Sequence, residues 1–324
     1  MAHRSEARAA ECCYERAVTS FRRIALPGTA PEDVLCLDDG KVVTGLDDGR
    51  LLLVDPADGE VTVLADTAGH LLGLDFGDDG AIYMCDHDRG LLKLDAGESR
   101  TVVLADTVEG RPLRFASNVA RADDGTLYFS SSSQNFTIDR WRSDLIEHSG
   151  TGRLMRLVPG GEVEVLRDDL QFANGVVLGP DEEYVLVAET GASRVSRYWL
   201  TGDAAGTSDV FLDALGGYPD NMSVGSDGLL WVALASPRNA VLEGIFRLPS
   251  RARKVLARAP QNIGPAPEEV VWVQAYSFDG TLVHDVRIDD LDFGFVTAVA
   301  ENDGVLYLGT IMGSALGVLD LPAQ

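Results

Sequence analysis

The chain has 324 residues, with 51 acidic and 27 basic side chains, a formal net charge of −24 and 45% apolar content. That balance excludes a nucleic-acid binder, which needs a basic face for phosphates, and it reads against docking on anionic lipid. The apolar share excludes wholesale disorder, and the length suits one long all-β domain as well as two shorter ones.

Residues 5–18 read as a helix, so residues 1–20 are expected as a helical extension ahead of a single domain over 21–324. Charged side chains at Arg4, Glu6, Arg8, Glu11, Glu15 and Arg16 interrupt any apolar stretch there, which leaves no secretory signal. No apolar run reaches the roughly 18 residues of a membrane helix. The cysteines, Cys12, Cys13, Cys36 and Cys85, contain no C-x-x-C pair and fit neither a disulfide framework nor a zinc site. A cytoplasmic protein without membrane or nucleic-acid partners is the expectation.

From Leu37 onward one plan recurs: an Asp-Gly turn, an apolar strand, a second turn and further strands. Gly40, Gly80, Gly125, Gly228 and Gly304 mark five units, and Asp181-Glu182 replaces the turn in the remaining one. The first two spacings, 40 and 45 residues, match a four-stranded propeller blade of roughly 40–50 residues. Alternation in "GRLLLVD" and "GAIYMCD" fits strands with one buried face. The fold is therefore read as all-β, a six-bladed β-propeller. The longest interval places a helical or loop insertion near 250–272, helical over "RARKVLARAP". The last unit is short of strands, so a segment ahead of Glu32 is expected to complete it.

Four segments place oxygen donors just before an apolar strand: Glu32 in "PEDV", Asn118 in "RFASNVA", Asn174 in "QFANGVV", and Asp220 with Asn221 in "GYPDNMS". Carboxylates with carboxamides suit a hard divalent cation, calcium above all; the lack of thiolate and imidazole disfavours zinc or copper. Phe172 and Tyr218 adjoin these positions and are candidates for the lining of a substrate pocket. His148 and His284 read as surface loop residues.

The stretches "GRPLRFASNVARADDGTLYFSSSS", "FANGVVLGPDEEYVLVAETGASRVSRYWLTG" and "GYPDNMSVGSDGLLWVAL" resemble the strictosidine synthase-like branch of six-bladed propellers, a group shared with senescence marker protein/gluconolactonases and paraoxonases. The resemblance spans residues 30 to 320. It implies a metal, usually calcium, at the top of the channel, with Glu32, Asn118, Asn174 and Asp220 matching the family's ligands and Asn221 as a further neighbour. The synthases carry a glutamate where this chain has Thr297, so strictosidine synthesis itself is not expected; Thr297 becomes a substrate contact. Ser131 stands where many relatives have an aspartate. In the lactonases a histidine pair activates water; His87 matches one member, while Leu72 occupies the other place. The resulting expectation is a metal-dependent hydrolase of a small lactone or ester, with His87, Asp86 or Asp220 handling the proton. The alternatives are a non-catalytic ligand-binding propeller and a biosynthetic condensation or cyclisation enzyme.

Overall fold

The computed structural model describes residues 20–260 and 266–322. The expected helix over 5–18 lies outside the described residues. Four of the five repeated Asp-Gly turns work the same way. The aspartate accepts an N–H two residues on, as in Asp39 with Lys41, Asp79 with Ala81, Asp124 with Thr126 and Asp227 with Leu229, and the following glycine takes a left-handed φ of 74–85°. Asp181 and Glu182 adopt φ of 54° and 53° without glycine.

These turns fold the chain into six four-stranded antiparallel sheets. The blades span residues 34–66, 71–105, 116–170, 173–212, 217–288 and 296–320, with a two-stranded ribbon at 107–112 between blades 2 and 3. The strand Ser20–Ala25 pairs antiparallel with Ala315–Asp320 and completes blade 6, as expected from the missing strand. Apolar side chains pack between neighbouring blades: Val43, Leu51, Leu71, Met84 and Leu92 between blades 1 and 2, and Trp231, Val273, Val299 and Leu308 between blades 5 and 6. Each fully buried side chain of this kind stabilises the ring by about 1.5–3 kcal/mol.

The first strand of every blade lies innermost, in contact with the first strands on either side. Polar side chains join all six junctions. Asp33 accepts from Leu74 N–H at 2.8 Å, Asp75 from Arg121 N–H at 2.6 Å, and Asn118 Oδ1 from Val176 N–H at 2.9 Å. Thr190 donates to the Pro219 carbonyl, Ser223 to Val299 and Thr297 to Glu32. Glycine allows two of these approaches: a Cβ at Gly73 would lie 2.4 Å from Asn118 Cα, and one at Gly175 would lie 2.7 Å from Asn221 Cα.

Two helical insertions occupy equivalent places, between the second and third strands of blades 3 and 5. The first carries α1 (Trp141–Glu147); the second carries α2 (Ala240–Phe246) and α3 (Ser250–Leu256). The insertion expected near 250–272 thus starts earlier, and by Val271 the next strand has begun. The overlooked start is capped by Asn239, whose side chain accepts from Val241 and Leu242 N–H. Strand alternation places these connections at the end of the ring where the inner strands begin. There α1 packs on α2 and α3. Arg253 donates to the Glu147 carbonyl at 3.0 Å, Arg140 to that of Ala257 at 3.0 Å, and His148 stacks on Phe246 with centroids 4.4 Å apart. Among the described residues no helix is long and apolar enough to cross a membrane.

Candidate metal centre and substrate cavity

Under the three helices lies a cavity of about 290 Å³ whose lining is predominantly apolar. Its floor is the mouth of the channel, where Ser117, Asn174, Asp220 and Thr297 reach it from the inner strands and Glu32 from just ahead of one. Its walls include Leu72, Phe115, Phe172, Tyr218 and Phe295. Three of these wall residues precede inner strands in a left-handed conformation, with φ of 53°, 60° and 52° at Phe115, Phe172 and Phe295. A non-glycine residue there costs about 1–2 kcal/mol, the kind of strain that marks functional clefts. Phe115 and Phe172 meet edge to face at 5.5 Å.

The residues Glu32, Asn118, Asn174, Asp220 and Asn221, expected as a set, are brought together and buried. Asn221 Nδ2 donates to Glu32 at 3.2 Å, Asn118 Nδ2 donates to Asn221 Oδ1 at 3.2 Å, and Asn174 Nδ2 donates to Asp220. The carboxyls of Glu32 and Asp220 are pushed well above the usual carboxylate range, first by burial and then by repulsion, Glu32 from Asp220 and Asp33, Asp220 from Asp33. Burial likewise lifts Asp33 to about 7, although it accepts from Leu74, Val34 and Asn118. Among the described residues no three side chains of the Asp, Glu, His and Cys types converge to hold a metal. A cation here would depend on amide oxygens as well.

The donor chemistry fits such a cation. Buried carboxylates whose strongest charged neighbours are other carboxylates stay ionised only beside a positive charge. The amides of Asn174 and Asn221 now donate to those same carboxylate oxygens. Asn118 stands with the set: its Oδ1 accepts from Val176 N–H, and its Nδ2 donates to Asp33 and Asn221.

Phe172, Tyr218 and Thr297, expected at the substrate, all line the cavity. Tyr218 accepts from Asn239 N–H at 2.9 Å and so ties the start of α2 to blade 5. His87 and Asp86, expected as proton carriers, lie outside the cavity lining. His87 Nε2 accepts from Ile138 N–H at 2.9 Å, its Nδ1 pairs with Asp88, and its ring meets Phe115 at 5.3 Å. Asp86 accepts from Thr67 Oγ1 and from the N–H groups of Asp88 and Arg89, which makes it a turn cap. Ser131 donates to the Arg114 carbonyl. His284 is buried in the strand Leu282–Ile288 and stacked on Trp231 at 5.5 Å, in contrast to the expected surface loop. Asp33 and Phe295 were not singled out from the sequence. The signal for Phe295 was a recurring Phe two residues ahead of the polar position at the cavity floor, as in Phe115–Ser117, Phe172–Asn174 and Phe295–Thr297.

A ring of inner strands with a polar mouth under a helical roof defines a six-bladed propeller with a roofed, mainly apolar cavity at one end of its channel. Comparison with known proteins narrows this. The model of the strictosidine synthase family matches residues 118–203, and that of the strictosidine synthase-like N-terminal region matches residues 16–54. Protein STRICTOSIDINE SYNTHASE-LIKE 6 of Arabidopsis thaliana is 31% identical over 304 residues, covering 91% of this chain and 81% of the relative. The adipocyte plasma membrane-associated protein of Rattus norvegicus is 29% identical, covering 86% of this chain and 80% of the relative. The chain belongs to the strictosidine synthase-like family. Solved structures share its fold: a gluconolactonase from Xanthomonas campestris (TM-score 0.66, 18% identity, 93% of this chain and 89% of that one) and the calcium-binding protein regucalcin from Agrobacterium tumefaciens (TM-score 0.62, 16% identity, 94% of each chain).

Proposed function

We propose that this chain is a divalent-cation-dependent hydrolase of a lactone or ester with an apolar body, with calcium as the best-suited cation. The observation that carries this reading is the convergence of Glu32, Asn174, Asp220 and Asn221 at the polar floor of an apolar cavity. A lactonase and a calcium-binding protein among the structures of this fold support it. When bound, the cation polarises the ester carbonyl and offsets the charge that develops on its oxygen.

In this reading Glu32, Asn174, Asp220 and Asn221 hold the cation. Asn118 braces them through Asn221. Water adds to the acyl carbon, the acyl–oxygen bond breaks, and the water proton passes through Asp220 to the leaving alkoxide. Asp220 is placed for this task because it lines the cavity. Phe172 and Tyr218 confine the substrate body, and Thr297 is committed to the Glu32 carbonyl. A second reading, binding without turnover, is favoured by one observation: no imidazole lines the cavity among the described residues.

The test is turnover of aryl esters and alkyl-substituted lactones before and after chelation, in the wild type and in Asp220→Asn. The expected result is chelator-sensitive hydrolysis that falls about 1,000-fold in the variant, while the variant still melts at or above the temperature of the metal-free wild type. Hydrolysis indifferent to both treatments would remove the cation from the mechanism. Silence across the panel together with a cation-induced rise in Tm would establish the binding reading.

A further inference from the structure

The whole chain is strongly acidic, but the roof of the cavity is not. From Gly244 to Pro267 the sequence holds Arg247, Arg251, Arg253, Lys254 and Arg258 and no acidic residue. Arg253 is turned inward onto the Glu147, Phe246 and Leu248 carbonyls. Arg247, Arg251, Lys254 and Arg258 are exposed, and none forms an ion pair among the described residues.

Apolar side chains are exposed between these charges. Val255 is 66% and Val241 57% accessible, and Leu248, Leu256 and, on the equivalent loop of blade 6, Met312 are exposed as well. Val241 and Leu256 also line the cavity, so one apolar surface runs from its interior to the outside of the roof. A basic and apolar surface on short helices is the chemistry of an interfacial membrane contact.

We infer that the α2–α3 roof docks on an anionic lipid surface, with Val255 and Leu248 entering the headgroup boundary and Arg247, Arg251, Lys254 and Arg258 facing lipid phosphates and carboxylates. The net charge of the molecule does not oppose this, because charges beyond about 8–10 Å of the surface are screened at physiological salt. Among the acidic groups on elements packed against the roof, Glu147 ends α1 where Arg253 holds its carbonyl; the others are engaged or lie at the margin. Glu243 pairs with Arg238 and Glu268 with Arg287, while Asp139 sits ahead of α1. Docked this way, the cavity would open toward the phase in which an apolar ligand is dissolved.

The experiment is sedimentation of the full chain with phosphatidylcholine vesicles, with and without phosphatidylserine, in the absence of substrate. Binding is expected only to the phosphatidylserine vesicles and should weaken as salt rises. The triple variant Arg247→Glu/Arg251→Glu/Lys254→Glu should lower the partition coefficient roughly 100-fold, from about 5-fold per basic residue. Val255→Ser should lower it by roughly 10-fold with the salt dependence retained. Arg100→Glu, on the opposite end of the ring, should leave it unchanged and controls for a general charge effect. Absence of sedimentation, equal binding to neutral vesicles, or full binding by the triple variant at unaltered Tm would overturn the inference. So would a lipid-free dimer that the triple variant abolishes, since the basic roof would then be meeting the acidic body of a second copy. Because no turnover is read, failure here leaves the hydrolase reading untouched.

Discussion

The floor and the roof of the cavity face each other across a few side chains, yet they are built in different ways. The floor residues sit on or next to inner strands, each held by both neighbouring blades and joined to them by side-chain hydrogen bonds. The roof comes from two insertions held to each other mainly by Arg253, Arg140 and the His148–Phe246 stack. Donor positions on the floor are therefore set by the ring as a whole, and moving one strains its neighbours. The roof can change length and sequence while the ring stays closed, which is where substrate choice is set in such an architecture.

Opening the ring should damage the floor most. Removing the strand Ser20–Ala25 strips its pairing from Ala315–Asp320 and uncovers Leu316 and Val318. The shortened chain is expected to lose its cooperative thermal transition or to melt at least about 10 °C lower, as read by calorimetry. An unchanged transition would show that the floor does not need closure.

Trp141→Ala alters only the roof. Trp141 lines the cavity and meets Phe295 at 6.0 Å. KM for bulky apolar substrates should rise by about tenfold with kcat within about twofold, because the lost contact is made equally to substrate and transition state. A fall in kcat instead would mean that the roof also sets the geometry of the floor.

The anchor of α1 gives a pH signature. Asp144 accepts from Ser133 and Ser149, and burial lifts its carboxyl from 3.8 to about 6. The folded state holds this proton more tightly than the unfolded chain does. The ionised group therefore costs stability above about pH 6, and the cost vanishes as pH falls toward its unfolded value. Relative to the wild type, Asp144→Asn should gain on the order of 2 kcal/mol between pH 4 and pH 7 in denaturant titrations. A flat difference would place Asp144 in contact with water.

The smallest effect is expected at His87. With both ring nitrogens engaged outside the cavity, His87→Gln should leave kcat/KM within about threefold. A loss of 100-fold or more would return it to the reaction.

The ring was legible because each blade spells its own turn. Gly40, Gly80 and Gly125 are glycines because the backbone there needs a left-handed φ, and a requirement so local shows in the sequence. The floor was legible for a related reason: Asn174 and Asp220 occupy corresponding ends of repeated strands, and the repeat itself carries them to one axis. His87 misled because its neighbours are not repeats. Its partner Ile138 belongs to the blade 3 insertion, and nothing in the linear order announces that contact. Helix α2 was missed because its signal is one Asn cap over seven residues that include Gly244. Asn118 shows a finer limit: its residue type marks the site, but which end of the amide faces inward is decided by Val176 N–H in the next blade.

The seam of the ring lies between strands almost 300 residues apart, since Ser20 pairs with Asp320 and Ala25 with Ala315. During synthesis the early strand therefore leaves the ribosome long before its partner exists. Until then its edge and the flanks of the first blade stay open to wrong partners. Closure is a single late event with a large loop-entropy cost. Once the last strand seats, the two ends of the ring hold each other through the pairing of Ser20–Ala25 with Ala315–Asp320.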